Sequence, residues 1–85
     1  MKVEQIRLGD RTEWKLGGKL HREDGPAVEY TDGTKFWYIN GELHREDGPA
    51  IERNDGSKEW YNKGEALSHE EFITYVRRKK LGCLV

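Results

Sequence analysis

Histidine, arginine and paired carboxylates occur twice in the same order, as His21-Arg22-Glu23-Asp24 and His44-Arg45-Glu46-Asp47. Such residues carry three kinds of chemistry. His21, Asp24, His44 and Asp47 offer zinc-type ligands, each histidine beside its carboxylates offers general acid–base catalysis, and the arginines with the histidines offer an anion site. Zinc needs four ligands converging on one point, whereas equivalent positions of a repeating chain lie apart or merely stack. Catalysis needs one concave pocket with perturbed groups, and a duplicated motif on a thin chain makes two half-pockets instead. No nucleophile motif, phosphate-cradling loop or cofactor fingerprint accompanies the block. The expectation is of no catalytic residue, no metal and no cofactor. His21, Arg22, His44 and Arg45 remain candidates for contacting an acidic partner or an anionic ligand. They also suit a structural role: Asp24 and Asp47 as turn acceptors, glycine–proline pairs as chain breaks, and arginines paired with neighbouring carboxylates.

The block belongs to a longer repeat. Leu20 to Ala27 recurs unchanged as Leu43 to Ala50, an offset of 23 residues. Val28, Glu29, Asp32, Gly33, Lys35, Trp37, Tyr38 and Gly41 correspond to Ile51, Glu52, Asp55, Gly56, Lys58, Trp60, Tyr61 and Gly64. Trp14 and Gly18 fall on the same register, and Ile6-Arg7-Leu8-Gly9-Asp10 reads as a degraded copy one residue short. Residues 1–85 form one domain, with a partial repeat over 1–13, tandem repeats over 14–66 and a helix over 68–81.

Turn residues divide each unit into short strands rich in Trp, Tyr, Phe, Val, Ile and Thr. Asp32-Gly33 and Asp55-Gly56 predict two-residue type I′ hairpins, and Gly17-Gly18, Asn40-Gly41 and Lys63-Gly64 mark the next turn. A two-residue loop sets Val28 opposite Trp37 and Ile51 opposite Trp60. Alternation then places Trp37 with Ile39 on one face, and Phe36 with Tyr38 on the other. The first face repeats as Trp14 with Leu16, which marks it as the core candidate. The other face changes from Glu13 and Lys15 to Phe36 and Tyr38, then to Glu59 and Tyr61. Phe36, Tyr38 and Tyr61 are therefore candidate partner-binding residues, aromatics being favoured as interface anchors. A helix covering that face would bury them instead.

The tail changes period. Ser68-His69-Glu70-Glu71 is a capping box, Phe72, Ile73, Tyr75 and Val76 make an apolar stripe, and Gly82 offers a stop. Arg77, Arg78, Lys79 and Lys80 suit a solvated helix end complementing the dipole better than a nucleic-acid or lipid contact. The expected helix lies across the end or one face of the sheet.

Composition sets the limits. The hydrophobic share of 34% against 36% charged leaves a thin core, while three tryptophans, four tyrosines and two phenylalanines argue against disorder. A net charge of −1 gives no general reason to bind nucleic acid or an anionic membrane. A single cysteine excludes an intramolecular disulfide, and no apolar run suggests a signal peptide or membrane span, so a reducing cytoplasm is the expected compartment.

The unit from Trp37 to Gly56 (tryptophan, tyrosine, any residue, asparagine, glycine, then Leu43-His44-Arg45-Glu46-Asp47-Gly48-Pro49-Ala50) resembles the MORN-like hairpin repeats of short phage, bacterial and giant-virus proteins. The resemblance spans roughly residues 14–64. It implies a mainly β chain, a meander of tandem 23-residue hairpin repeats closed by one C-terminal helix, serving as a scaffold or contact surface. The function expected is that of a non-enzymatic protein-binding module. The phage setting of the family suggests an inhibitor that blocks a bacterial defence enzyme by steric occlusion. The alternative is a homo-oligomer or sponge holding an anionic nucleotide between Arg22, Arg45, His21 and His44.

Overall fold

The computed structural model describes residues 3–84, with side chains through Arg77. Ten short strands precede one helix: β1 (Glu4–Arg7), β2 (Arg11–Leu16), β3 (Lys19–Leu20), β4 (Val28–Tyr30), β5 (Lys35–Phe36), β6 (Tyr38–Ile39), β7 (Glu42–Leu43), β8 (Ile51–Glu52), β9 (Lys58–Asn62), β10 (Glu65–Leu67) and α1 (His69–Leu84). The chain is mainly β. One antiparallel sheet runs β1-β2-β4-β5-β8-β9-β10 with β3 beside β2, and β6 pairs with β7 alone. The result is a slab of 45 × 34 × 18 Å.

Two kinds of turn build this meander. Gly17-Gly18, Asn40-Gly41 and Lys63-Gly64 all have positive φ at both positions, with Asn40 at 51° and Lys63 at 50°. These are the two-residue type I′ loops that match strand twist. The Asp-Gly loops differ from expectation. Tyr30 N–H bonds to Thr34 O (2.8 Å), and Gly33 N–H bonds back to Tyr30 O (3.1 Å). Only Gly33, at φ 97°, is left-handed there. The loop is thus three residues long, a tight turn ending in a glycine bulge. Asp32 accepts the Thr34 N–H at 2.9 Å, and Asp55 accepts the Ser57 N–H at the same distance.

That extra loop residue moves the register by one. Val28 lies opposite Phe36, not Trp37, and Ile51 lies opposite Glu59, not Trp60. Because side chains alternate, one step transfers them to the other face. One row across the sheet reads Ile6, Glu13, Val28, Phe36, Ile51, Glu59. The next residue along gives the opposite face. There Trp14 bonds to Ala27 and Trp37 to Ala50, so tryptophans alternate with alanines across the strands. Ala27 and Ala50 are fully covered, and Val28 and Ile51 are buried too. Both faces therefore share the core, where the tryptophan face alone was expected to form it. The copy at Ile6 closes with the two-residue loop Gly9-Asp10, since Leu8 N–H bonds Arg11 O at 2.7 Å. The residue missing from the first unit is a loop residue.

Ser68 and Glu71 form the reciprocal capping box, with Ser68 N–H to Glu71 Oε1 at 2.8 Å and Glu71 N–H to Ser68 Oγ at 3.1 Å. The helix packs against β9 and β10 and runs through Gly82 instead of stopping there. Phe72 is its buried anchor and Arg77 is exposed. The side chains of Arg78, Lys79, Lys80 and Cys83 lie outside the described residues. No helix among the described residues is long and apolar enough to cross a membrane.

Candidate functional site

The repeated block closes on itself. The Arg45 guanidinium lies over the Trp37 ring, 3.8 Å from its centroid. Its Nε donates to Asp47 Oδ1 (2.8 Å), and Nη1 donates to Pro49 O (3.0 Å) and Glu52 Oε2 (2.9 Å). Arg22 repeats the arrangement: Trp14 at 4.0 Å, Asp24 at 3.0 Å, Pro26 O at 3.2 Å and Glu29 at 3.5 Å. Each arginine follows its tryptophan by eight residues. Glycine lies close against the guanidinium: a Cβ at Gly48 would stand 2.9 Å from Arg45 Cζ and press on it. The block was expected to use Asp24 and Asp47 as turn acceptors; Asp32 and Asp55 have that role, while Asp24 and Asp47 hold arginines.

The histidines lock successive turns together. Asn40 N–H donates to His21 Nδ1 and Lys63 N–H donates to His44 Nδ1, both at 3.0 Å. These donors begin the type I′ loops and face away from their own ladder. With Nδ1 accepting, the neutral ring carries its proton on Nε2, and in His44 that proton points at Glu46 Oε2, 3.4 Å away. Nothing in the sequence spacing announces a bond spanning 19 residues between a histidine and a turn.

Eight residues after Trp60 stands Ser68, and among the described residues no arginine lies over that ring. His69 stacks on it instead, with ring centroids 4.6 Å apart and planes 23° from parallel, and Phe72 packs at 6.2 Å. The helix thus supplies the last tryptophan with the cover that Arg22 and Arg45 give the others.

Between the two blocks runs an open groove of about 720 Å³, lined by Arg22, Glu23, Asp24, Trp37, Ile39, His44, Arg45, Glu46 and Asp47, with Gly25 at its edge. His21 is buried outside it. Four carboxylates there outnumber two guanidinium groups that are already bonded. Such a groove repels an anion. Among the described residues, no three His, Cys, Asp or Glu side chains are placed to hold a metal ion.

The opposite face carries the aromatics. Phe36 lies between Val28 and Ile51 in its row, and Tyr30 meets it edge to face at 5.8 Å. Tyr38 is close enough to Tyr30, and Tyr61 to Tyr38, for their phenols to influence one another. Phe36, Tyr38 and Tyr61 are half-buried. Tyr30 was missed, although it follows Val28 by two residues and so shares its face. The helix rings stack on Trp60, whose side chain points away from Tyr61 in strand β9. Charges around the aromatics are paired internally: Arg11 with Asp10 and Glu13, Lys15 with Glu13, and Arg53 with Glu59.

Burial raises the Tyr38 phenol above its ordinary range. The Tyr61 hydroxyl donates to Glu59 Oε1 (3.2 Å), which raises the Tyr61 phenol, while Arg53 lowers Glu59. A phenol whose folded pKa is raised favours folding below the unfolded tyrosine range and loses that contribution as pH rises through the folded value. Ultraviolet titration should therefore show two tyrosines ionising above free tyrosine, with stability falling in that alkaline window. Tyr61→Phe should remove one of the two.

No family model, curated protein or solved structure matches the chain.

Proposed function

We propose that this chain is a non-enzymatic protein-binding module, a tandem array of MORN-like 23-residue hairpins that docks through Tyr30, Phe36, Tyr38 and Tyr61. One observation carries the reading. The aromatic row is half-exposed on the face opposite the helix rings, and its neighbouring charges are already neutralised within the molecule. Docking there desolvates rings and phenols without stranding an unpaired charge. The arginines and histidines of the repeated block, by contrast, are engaged in holding the sheet. We take them as frame, not as partner contacts.

The partner class is a larger protein, and the mechanism is steric occlusion of its working surface in the cytoplasm. The family resemblance supports a bacterial defence enzyme as that target. The nucleotide sponge is disfavoured by the excess of carboxylates in the groove.

Immobilised chain should capture one protein from a lysate of its natural host. Phe36→Ala/Tyr38→Ala should weaken that complex by more than about 30-fold, as loss of an aromatic anchor does, while circular dichroism remains that of the parent. Glu23→Ala/Glu46→Ala, on the groove side, should leave it intact. Retention by the aromatic variant, or loss only in the groove variant, contradicts the proposal. A thermal shift with nucleotides would revive the sponge.

A further inference from the structure

We infer that the free sheet edge β1 is self-complementary, and that two copies of the chain pair there, edge to edge, about a two-fold axis through Ile6. Among the described residues, β1 pairs only with β2. Leu8 N–H bonds inward to Arg11 O, so alternation also turns the backbone of Ile6 and Glu4 inward. The N–H and C=O groups of Val3, Gln5 and Arg7 then point outward, a template for another strand. Proteins guard such edges with proline, bulges or charge. β1 has neither proline nor bulge, and its Glu4 already faces Lys15 across the ladder. Among the described residues, three large hydrophobic side chains are exposed. Val3 and Leu8 flank this strand, and Ile73 lies on the helix.

The geometry selects the occupant. At the other end of the sheet β10 has three residues against four in β1 and leads into α1, which packs against β9 and β10, so β1 is the longer end strand and carries no following helix. Outward groups belong to odd-numbered residues, so an antiparallel pair joins odd to odd and its axis falls on a single residue. An axis at Glu4 sets Glu4 against its own copy, and an axis at Arg7 does the same for Arg7. Like charges directly opposite are destabilising. An axis at Gln5 sets Ile6 against a glutamate. The axis at Ile6 sets Ile6 against Ile6, Gln5 against Arg7 and Glu4 against Leu8. It alone places apolar on apolar at the centre, and it continues the row through Glu13, Val28 and Phe36 into the second copy.

An axis perpendicular to the sheet keeps like faces on the same side. The pair therefore presents two aromatic faces to one side, a bivalent docking surface. The edge pairing itself does not depend on the docking reading, and its test uses no partner.

Ile6 and its copy form a non-hydrogen-bonded pair, with Cα atoms about 4.5 Å apart, within reach of a disulfide. In a Cys83→Ser background, Ile6→Cys should oxidise to a covalent dimer roughly tenfold faster than Leu8→Cys, which faces Glu4 instead. Such a short edge interface is small, so sedimentation should be followed to about 0.5 mM. The parent's average mass should rise above 10.0 kDa with concentration. Gln5→Pro, which removes an outward N–H and no inward bond, should hold it at the monomer value. A parent that stays monomeric throughout overturns the inference. So does cross-linking of Ile6→Cys no faster than that of Leu8→Cys.

Discussion

Replacing Trp37 with alanine should cost about 3 kcal/mol of folding stability, the low end of the range for truncating a large ring because Trp37 is only partly buried. Its ring is the centre of the tryptophan face. Its backbone N–H bonds to Ala50 O and its carbonyl accepts from His44, while its ring carries the Arg45 guanidinium. Ala27 and Ala50 on neighbouring strands are fully covered, and removing the ring uncovers them. A domain of this size shifts its melting temperature by about 4–8 °C per kcal/mol, so the midpoint should fall by more than about 12 °C. Urea unfolding followed by far-ultraviolet circular dichroism measures the loss. A change below about 1 kcal/mol would show that the tryptophan face contributes little to the fold.

Arg45→Ala should be nearly as damaging, at about 2–3 kcal/mol. The variant loses the stacked cation and leaves the Pro49 carbonyl and the Glu52 carboxylate without their donor. The ion pair with Asp47 is the smaller part, because that carboxylate is 84% exposed and largely screened by water. Asp47→Ala should accordingly stay within about 0.5 kcal/mol of the parent. Gly48→Ala should be damaging for a different reason, since its Cβ pushes on the guanidinium that Trp37 holds from the other side. Thermal melts of the three variants, side by side, distinguish a clamp from a loose surface pair.

The turns and the cap were legible in the sequence because their signals are local. Gly17-Gly18, Asn40-Gly41 and Lys63-Gly64 carry the left-handed pairs a type I′ loop needs, and Ser68 with Glu71 needs only one helical turn. Asp32-Gly33 gave the same signal for a different loop. Asp32 keeps negative φ and its side chain bonds Thr34, so the loop takes one more residue. That single residue decides which face Val28 and Ile51 occupy, and with it where the core lies. The shared face of Phe36 and Tyr38 does not depend on that register, because it follows from alternation along the chain, not from pairing. The histidine locks and the arginine stacks were illegible for a physical reason. Each joins a block to a turn or ring distant in sequence, and only the folded registers bring them together.

In the proposed division of labour the repeated block frames the sheet and the aromatic face meets the partner. The most direct test of that division is equilibrium urea unfolding of the Arg22→Lys/Arg45→Lys double variant. Lysine keeps the charge but cannot stack while donating from two nitrogens in a fixed fork. A loss of at least about 2 kcal/mol is expected. An unfolding midpoint within about 0.5 kcal/mol of the parent would contradict it, and would return Arg22 and Arg45 to the role of ligand contacts.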